Sequence, residues 1–303
     1  MFIRTVIFSL SLLFFSQSGF SEEISNTQFL RAILRGDMDK IRNISPKSLP
    51  SFLKLQDKDG HWPLHLACIT SAQKDVAPII QYLIENGVNI NATRFDRMTA
   101  LHLAVLTNNS EAITALSSYP QLDPNVLDKN TYTPLLYAVC KKSTPLVTAL
   151  LEISTLNPNI ATCDGATPLH FAAMQNSADI VQALLSSPSI DINARQHISQ
   201  YAGATPLHFA ALQASSKVVE LLTAREEIDV HAEIASGMFK GFTPLHFAVM
   251  NPDTPQVCLI VKRLIDTGAI AKKGNTCALK SPDELTQIST VQKLLKKRCK
   301  KRT

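Results

Sequence analysis

Short apolar runs alternate with polar stretches along most of this chain, and the runs open on one signature. Thr-Pro-Leu-His stands at Thr167–His170, Thr205–His208 and Thr243–His246, with near-copies at Trp62–His65, Thr99–His102 and Thr133–Leu136. The starts lie 37, 34, 34, 38 and 38 residues apart. The pattern predicts a turn followed by two short helices. The Thr sits where a hydroxyl caps a helix N-terminus, and the Pro takes the first helical position, where its missing N–H costs nothing. Small residues behind the Leu (Leu66-Ala67, Ala172-Ala173, Ala210-Ala211) let neighbouring helices approach closely. A second apolar stretch, Ile180-Val181 with Leu184-Leu185 or Val218-Val219 with Leu222, has the spacing of one helix face. Asn91-Ala92 and Asn193-Ala194 close their units. Gly60, Gly165, Gly203 and Gly241, two residues before the Thr position, suit a tight turn with positive φ. A unit this short buries its apolar face only against its neighbours, so a fixed period predicts a stacked, all-α solenoid.

The phrase Asp164-Gly165-Ala166-Thr167-Pro168-Leu169-His170-Phe171-Ala172-Ala173 resembles the ankyrin repeat family closely. Two weaker units extend the match. Thr27-Gln28-Phe29-Leu30-Arg31-Ala32, with Gly36-Asp37 behind it, has the phase of a degenerate first repeat. Ser281-Pro282-Asp283-Glu284-Leu285 looks like the first helix of a last one. The resemblance thus covers roughly residues 26–296 as about eight helix-turn-helix units, and implies β-hairpin fingers between them. The expected organisation is a signal peptide at 1–21, the array at 22–296 and a basic tail at 297–303. Trp62 in place of the capping Thr, Ala100 in place of Pro, Leu136 in place of His and Arg97 in place of the turn Gly depart from the pattern. Each weakens one local bond or turn without threatening the fold. Extra residues fall between the helices near Ser71–Asp75 and Asn251–Gln256, and lengthen the fingers at Arg195–Ala202 and Glu233–Lys240.

The N-terminus changes the picture of where such an array works. Arg4 precedes an apolar run from Val6 to Phe15, then polar Ser16-Gln17-Ser18, with Gly19 and Ser21 at minus three and minus one of a cut before Glu22. That is the layout of a secretory signal peptide, and the apolar run is short of the ~18–20 residues that span a bilayer. Export to the periplasm or medium is expected. Bacterial-type ankyrin proteins with signal peptides include envelope proteins and factors delivered to eukaryotic hosts. The six cysteines show no Cys-x-x-Cys pair and no zinc spacing. Cys68 and Cys140 read as small hydrophobes and Cys163 as an exposed finger thiol. Idle thiols are the favoured reading; Cys277 with Cys299 is the candidate disulfide if one forms. Seven of the last eleven residues are Lys or Arg; without them and Arg4, 22 basic residues face 25 acidic ones. The block suits contact with anionic membrane, nucleic acid or acidic protein. The blander reading, cations ending a helix favourably against its dipole, is preferred.

Five histidines share one repeat position, which speaks for repeated structural hydrogen bonds rather than one convergent catalytic constellation. His61, His197 and His231 read as single exposed finger residues. No phosphate-cradling glycine loop, Gly-x-Ser-x-Gly turn or His-Glu-x-x-His helix occurs in the sequence. A non-enzymatic binder of a protein partner is expected, monomeric, with no cofactor, no metal and no small-molecule substrate. The resemblance implies recognition through finger tips and the exposed ends of the first helices. Carried onto this sequence, that strip takes Phe95, Met98, Asn130, Tyr132, Asp164, Tyr201, Phe239, Lys240 and Phe242 from the fingers. The helix ends add Leu106, Thr107, Cys140, Lys141, Met174, Gln175, Leu212, Gln213, Met250 and Asn251. The aromatic anchor is expected at Tyr201, Phe239 and Phe242 on the long fingers.

Overall fold

Each copy of the signature opens a helix of seven residues. The computed structural model describes residues 25–69, 76–198, 200–251 and 254–269. The expected leader, the unit beginning at Ser281, the Cys277–Cys299 pair, the basic tail and Ser71–Asp75 lie outside them. The first helices are α4 (Pro63–Ile69), α6 (Ala100–Leu106), α8 (Pro134–Cys140), α10 (Pro168–Met174), α12 (Pro206–Leu212) and α14 (Pro244–Met250). Their second helices are α5 (Val76–Glu85), α7 (Ser110–Ser117), α9 (Thr144–Leu151), α11 (Ala178–Leu185), α13 (Ser216–Thr223) and α15 (Pro255–Asp266). Ahead of them stand α1 (Asn26–Arg35), α2 (Met38–Arg42) and a single turn, α3 (Leu49–Phe52). First helix packs on first helix and second on second along the chain, giving the two-row solenoid that the period predicts.

The degenerate first unit starts earlier than its phase suggests. Ser25, not Thr27, caps α1, in a capping box with Gln28, and Gly36 closes the helix with φ 70°. Phe29 and Ile33 of α1 are buried, and α1 packs on α4. At α6, α10, α12 and α14 the Thr hydroxyl and the His ring make a capping box across three residues. Between the helices the chain turns through a left-handed residue: Asn108, Lys142, Asn176 or Ala214, with φ between 52° and 61°. The turn returns two amides to the helix end, as Ser215 N to Ala210 O at 3.0 Å and Ala214 N to Ala211 O at 3.1 Å.

A second ladder runs along the opposite edge, and only its Asn-Ala fragments stand out in the sequence. Asn91, Asn125, Asn159 and Asn193 each use the whole side-chain amide on the next unit. Asn159 Nδ2 donates to Ser189 O at 2.6 Å while its Oδ1 accepts from Asp191 N at 2.8 Å. Asn193 repeats this with Glu227 O and Asp229 N.

Candidate functional site

The fingers are closed by backbone bonds: Asp57 N to His61 O, Arg94 N to Met98 O, Asp128 N to Tyr132 O and Thr162 N to Ala166 O. The two long ones close as Gln196 N to Ala204 O and Ile234 N to Phe242 O, four residues wider, as their sequence length implies. They are tight turns more than strand ladders: among the described residues the β-bridge recorded is Thr93 with Thr99. Successive fingers are tied together by Lys129 N to Asp96 O, His197 N to Asp164 O and Ala235 N to Ala202 O. Two glycines make that approach achievable. A Cβ on Gly165 would lie 2.7 Å from the His197 backbone nitrogen, and one on Gly203 would lie 2.6 Å from Ala235 N.

The repeated histidines hold fingers to helices. Nδ1 of His102, His170, His208 and His246 accepts the amide of its own Thr at 3.0–3.1 Å, and His65 does the same with Trp62 N at 3.3 Å. Nε2 then donates to a carbonyl of the following finger, as His170 to Ala204 O at 3.1 Å. Burial pulls His65, His170, His208 and His246 down to about 4 and lowers His102 as well. They are neutral scaffold groups with both ring nitrogens committed in four of the five. Where Leu136 replaces the imidazole, the Ala166 carbonyl receives Thr162 N at 3.0 Å, and the Thr162 hydroxyl lies 3.2 Å from it.

Finger carboxylates are used internally. Asp128 is buried and accepts from Asn130 N, Tyr132 N and the Tyr137 hydroxyl, the last at 2.6 Å. Burial pushes Asp96 and Asp164 up, but hydrogen bonds from Arg94 to Asp96 and from Thr162 and Gln196 to Asp164 outweigh it, so both stay below the ordinary carboxylate value. Asp57, Asp59 and His61 bring their ligand atoms within 4.8 Å of one another. The Arg94 guanidinium, however, stands 2.6 Å from His61 Nε2, and His61 Nδ1 is 2.9 Å from Asp57. The same guanidinium is paired with Asp96 at 2.6 Å. His61 is accordingly buried, against the expectation of an exposed histidine, because Arg94 of the next finger covers it.

Of the residues expected at the recognition strip, Phe95 (64% exposed), Met174, Gln213, Lys240, Met250 and Asn130 face solvent. Met98, Tyr132, Asp164, Leu106, Thr107, Cys140, Lys141, Gln175, Leu212 and Asn251 are half-buried. Several of these serve neighbouring units: Lys141 Nζ donates to Leu106 O, and Asn251 Nδ2 to Ala211 O. The Tyr132 ring packs 5.4 Å from Tyr137 and 6.0 Å from Phe171. The expected anchor needs correction. Phe242 is 7% exposed and packs on His246 and Phe247 beneath the finger, so it is core. Tyr201 and Phe239 are half-buried and pack on each other and on Phe247.

Sequence reasoning missed Ile198 and Met238, exposed at the tips of the two long fingers. Apolar residues inside otherwise polar loops were the signal. It also missed a charge segregation. Between the fingers that close at Met98 and Phe242, the exposed charged side chains of the fingers and helix-ending turns are Arg97, Lys129, Lys142, Arg195 and Lys240, together with the acid Glu233. On the second helices α7, α11 and α13, Glu111, Asp179 and Glu220 are exposed beside Lys217. Cys163 is exposed in its finger, as expected; Cys68 is buried. No helix among the described residues is long and apolar enough to cross a membrane.

A sequence profile described as "Ankyrin repeats (3 copies)" matches residues 29–128, 108–196 and 157–234. Mouse and human Rabankyrin-5 are each 35% identical over 77 residues, 25% of this chain and 6% of theirs. Alpha-latrotoxin-Lh1a of Latrodectus hasselti is 35% identical over 86 residues, 28% of this chain and 6% of the toxin. The chain thus spans a small fraction of those proteins. Among solved structures, the ankyrin repeat domain of Bcl-3, a member of the IkappaB protein family, superposes with TM-score 0.65 at 26% identity, over 79% of this chain and 100% of that one. The human ASB11 ankyrin repeat domain gives 0.54 at 25% identity, over 78% and 97%.

Proposed function

Because the chain belongs to the ankyrin repeat family, whose arrays generally mediate protein–protein interaction and are typically non-catalytic, we propose that it is an exported module that binds a protein partner. The face used is that of the finger tips and first-helix ends. The observation that carries this is the coincidence on one face of exposed apolar side chains, Phe95, Met174, Met238 and Met250, with exposed charges that are mostly cationic, Asp59 and Glu233 being the acids among them. Such a face suits a partner presenting apolar anchors and acidic side chains. An envelope protein or a host protein would meet this description. The leader-like residues 1–21 support export.

A photo-crosslinking amino acid at Phe95, Met174 or Gln213, compared with Gln182 on the second-helix row, tests the face. Adducts at the first three and none at Gln182 are expected; the reverse pattern would sink the assignment. The rival reading, an anionic-surface binder acting through the polybasic tail, is separated by deleting residues 297–303. Array-based binding survives the deletion, whereas tail-based binding to anionic vesicles or nucleic acid disappears with it. Export is tested by the mature N-terminus: a chain beginning at Glu22 in periplasm or medium is expected, and one retaining Met1 in the cytoplasm would overturn it.

A further inference from the structure

The fingers 57–61 and 94–98 are joined differently from the later ones. Further along the array a backbone amide ties each finger to the one before it. Lys129 N, His197 N and Ala235 N donate to the carbonyls of Asp96, Asp164 and Ala202, and Cys163 N donates to Thr131 Oγ1 at 2.9 Å. Among the described residues no such amide bond links the turns of the first pair. Two side-chain contacts stand there instead: the Arg94 guanidinium against His61 Nε2 at 2.6 Å, and the Phe95 ring against Gly60. At the base, Trp62 Nε1 donates to Thr93 O and His65 Nε2 to Met98 O, each at 3.0 Å. In the other units the place of His61 is taken by Met98, Tyr132, Ala166, Ala204 and Phe242, none of which gains a charge on acidification.

One tautomer of His61 satisfies both neighbours. Nδ1 faces the Asp57 carboxylate at 2.9 and 3.1 Å, so it carries the proton. Nε2 is left with the lone pair, which accepts from Arg94. Asp96 holds the guanidinium from the other side, at 2.9 Å on Nε and 2.6 Å on Nη2, and so fixes it against the ring. A second proton on the imidazole would set N–H against N–H and charge against like charge at Nε2, while strengthening the bond from Nδ1 to Asp57. Protonation therefore breaks the link between fingers and keeps the one within a finger. The other groups facing the ring do not reverse this. Asp59 belongs to the same finger as Asp57 and lies within the same 4.8 Å cluster. His65 of α4, its ring 6.4 Å away, stays neutral because burial pulls it down to about 4. Lys58 and Arg97, on the two turns, are exposed. We propose that His61 is a proton-operated latch on the face assigned above to partner binding: neutral, it holds Arg94 and seats Phe95 on Gly60; protonated, it frees residues 94–97, so that acidification withdraws one apolar anchor from that face. Only this last consequence rests on the binding assignment.

The test uses the full chain with 4-fluorophenylalanine placed at position 95 or, as a control, at position 239, and needs no partner. Fluorine spectra are followed from about pH 7.5 to about pH 5, the interval in which an imidazole gains its proton, alongside the ring protons of His61. The signal from position 95 should move with the same midpoint as the His61 ring, while that from position 239 stays in place. His61→Gln should remove the movement. Arg94→Gln, which cuts the link without touching the imidazole, should give the low-pH signal at every pH. A position-95 signal that ignores the protonation of His61 would overturn the proposal. So would a His61 ring that stays neutral throughout, a movement that persists in His61→Gln, or signals from 95 and 239 that move together, since the last reports loosening of the whole array. The two assignments fail separately: an absence of crosslinked adducts at Phe95, Met174 and Gln213 sinks partner binding and leaves the latch standing, whereas a pH-blind position 95 does the reverse.

Discussion

The ring of Tyr201 lies face to face with that of Phe239, centroids 5.4 Å apart and planes within 5° of parallel. One belongs to each long finger, and beneath them Phe247 of α14 contacts both at 6.2 and 5.2 Å. The pair therefore clamps adjacent fingers as well as facing solvent. Tyr201→Ala and Phe239→Ala should each destabilise the array by about 1–2 kcal/mol, with a coupling of roughly 0.5–1.5 kcal/mol between them. A double-mutant cycle in urea measures this. Additive losses would mean the stack carries no energy of its own, and partner-binding tests should then return to these two residues.

Stability should fall as pH drops from 6.5 toward 4. The folded-state values of His65, His170, His208 and His246 are pulled to about 4 by burial. The unfolded chain therefore binds protons that the folded one refuses. Each such group contributes stability that is fully present above the unfolded value and lost as pH falls through the folded one. The slope approaches ~1.4 kcal/mol per pH unit for each histidine within that window. Urea midpoints at pH 7.5, 6, 5 and 4.5 check it. Replacing His170 with Leu should flatten the slope, and an unchanged pH profile in that variant would show that the ring already titrates freely.

The helices were legible in the sequence because their signals are local: a cap, a Pro, an apolar face and a left-handed turn each act within a few residues. The burial of finger side chains was not. Phe239 and Phe242 sit three residues apart in one loop, and only the finger's closing bond from Ile234 N to Phe242 O turns Phe242 beneath it. His61 is covered by Arg94, 33 residues away. Phe95, expected on the recognition strip, is exposed with its ring laid against Gly60, where a Cβ would meet it at 2.5 Å. The charge segregation likewise emerges only when the units stack.

Ala214 holds φ 52° where equivalent turns use Asn108 or Asn176. An alanine methyl crowds the carbonyl in this conformation at a cost of roughly 1–2 kcal/mol, part of which glycine recovers after its larger loss of unfolded-chain entropy. Ala214→Gly should therefore stabilise the array by about 0.5 kcal/mol. Asn176→Ala should destabilise it by about 1 kcal/mol for the same reason. Thermal melts of the two variants would show opposite shifts; a loss of stability in both would mean the methyl of Ala214 packs better than its backbone suffers.

Asn159→Ala tests the second ladder. Its amide donates to Ser189 O at 2.6 Å and accepts from Asp191 N at 2.8 Å, so both ends serve the next unit. Its own amide bonds Asn157 Oδ1 at 3.0 Å, and Asn157 N in turn reaches back to Asn125 Oδ1 at 2.8 Å. Each side chain thus fixes the loop that presents the following one. Two lost bonds at an edge that water can reach should cost about 1–2 kcal/mol, less than a buried pair because solvent replaces the partners. The effect should be directional: amide exchange should quicken at Asp191 and in the α11–α12 connection more than at Asn125. Equal quickening on both sides would mean that the ladder merely records stacking set by the helices, and that the asparagines add nothing to the coupling between units.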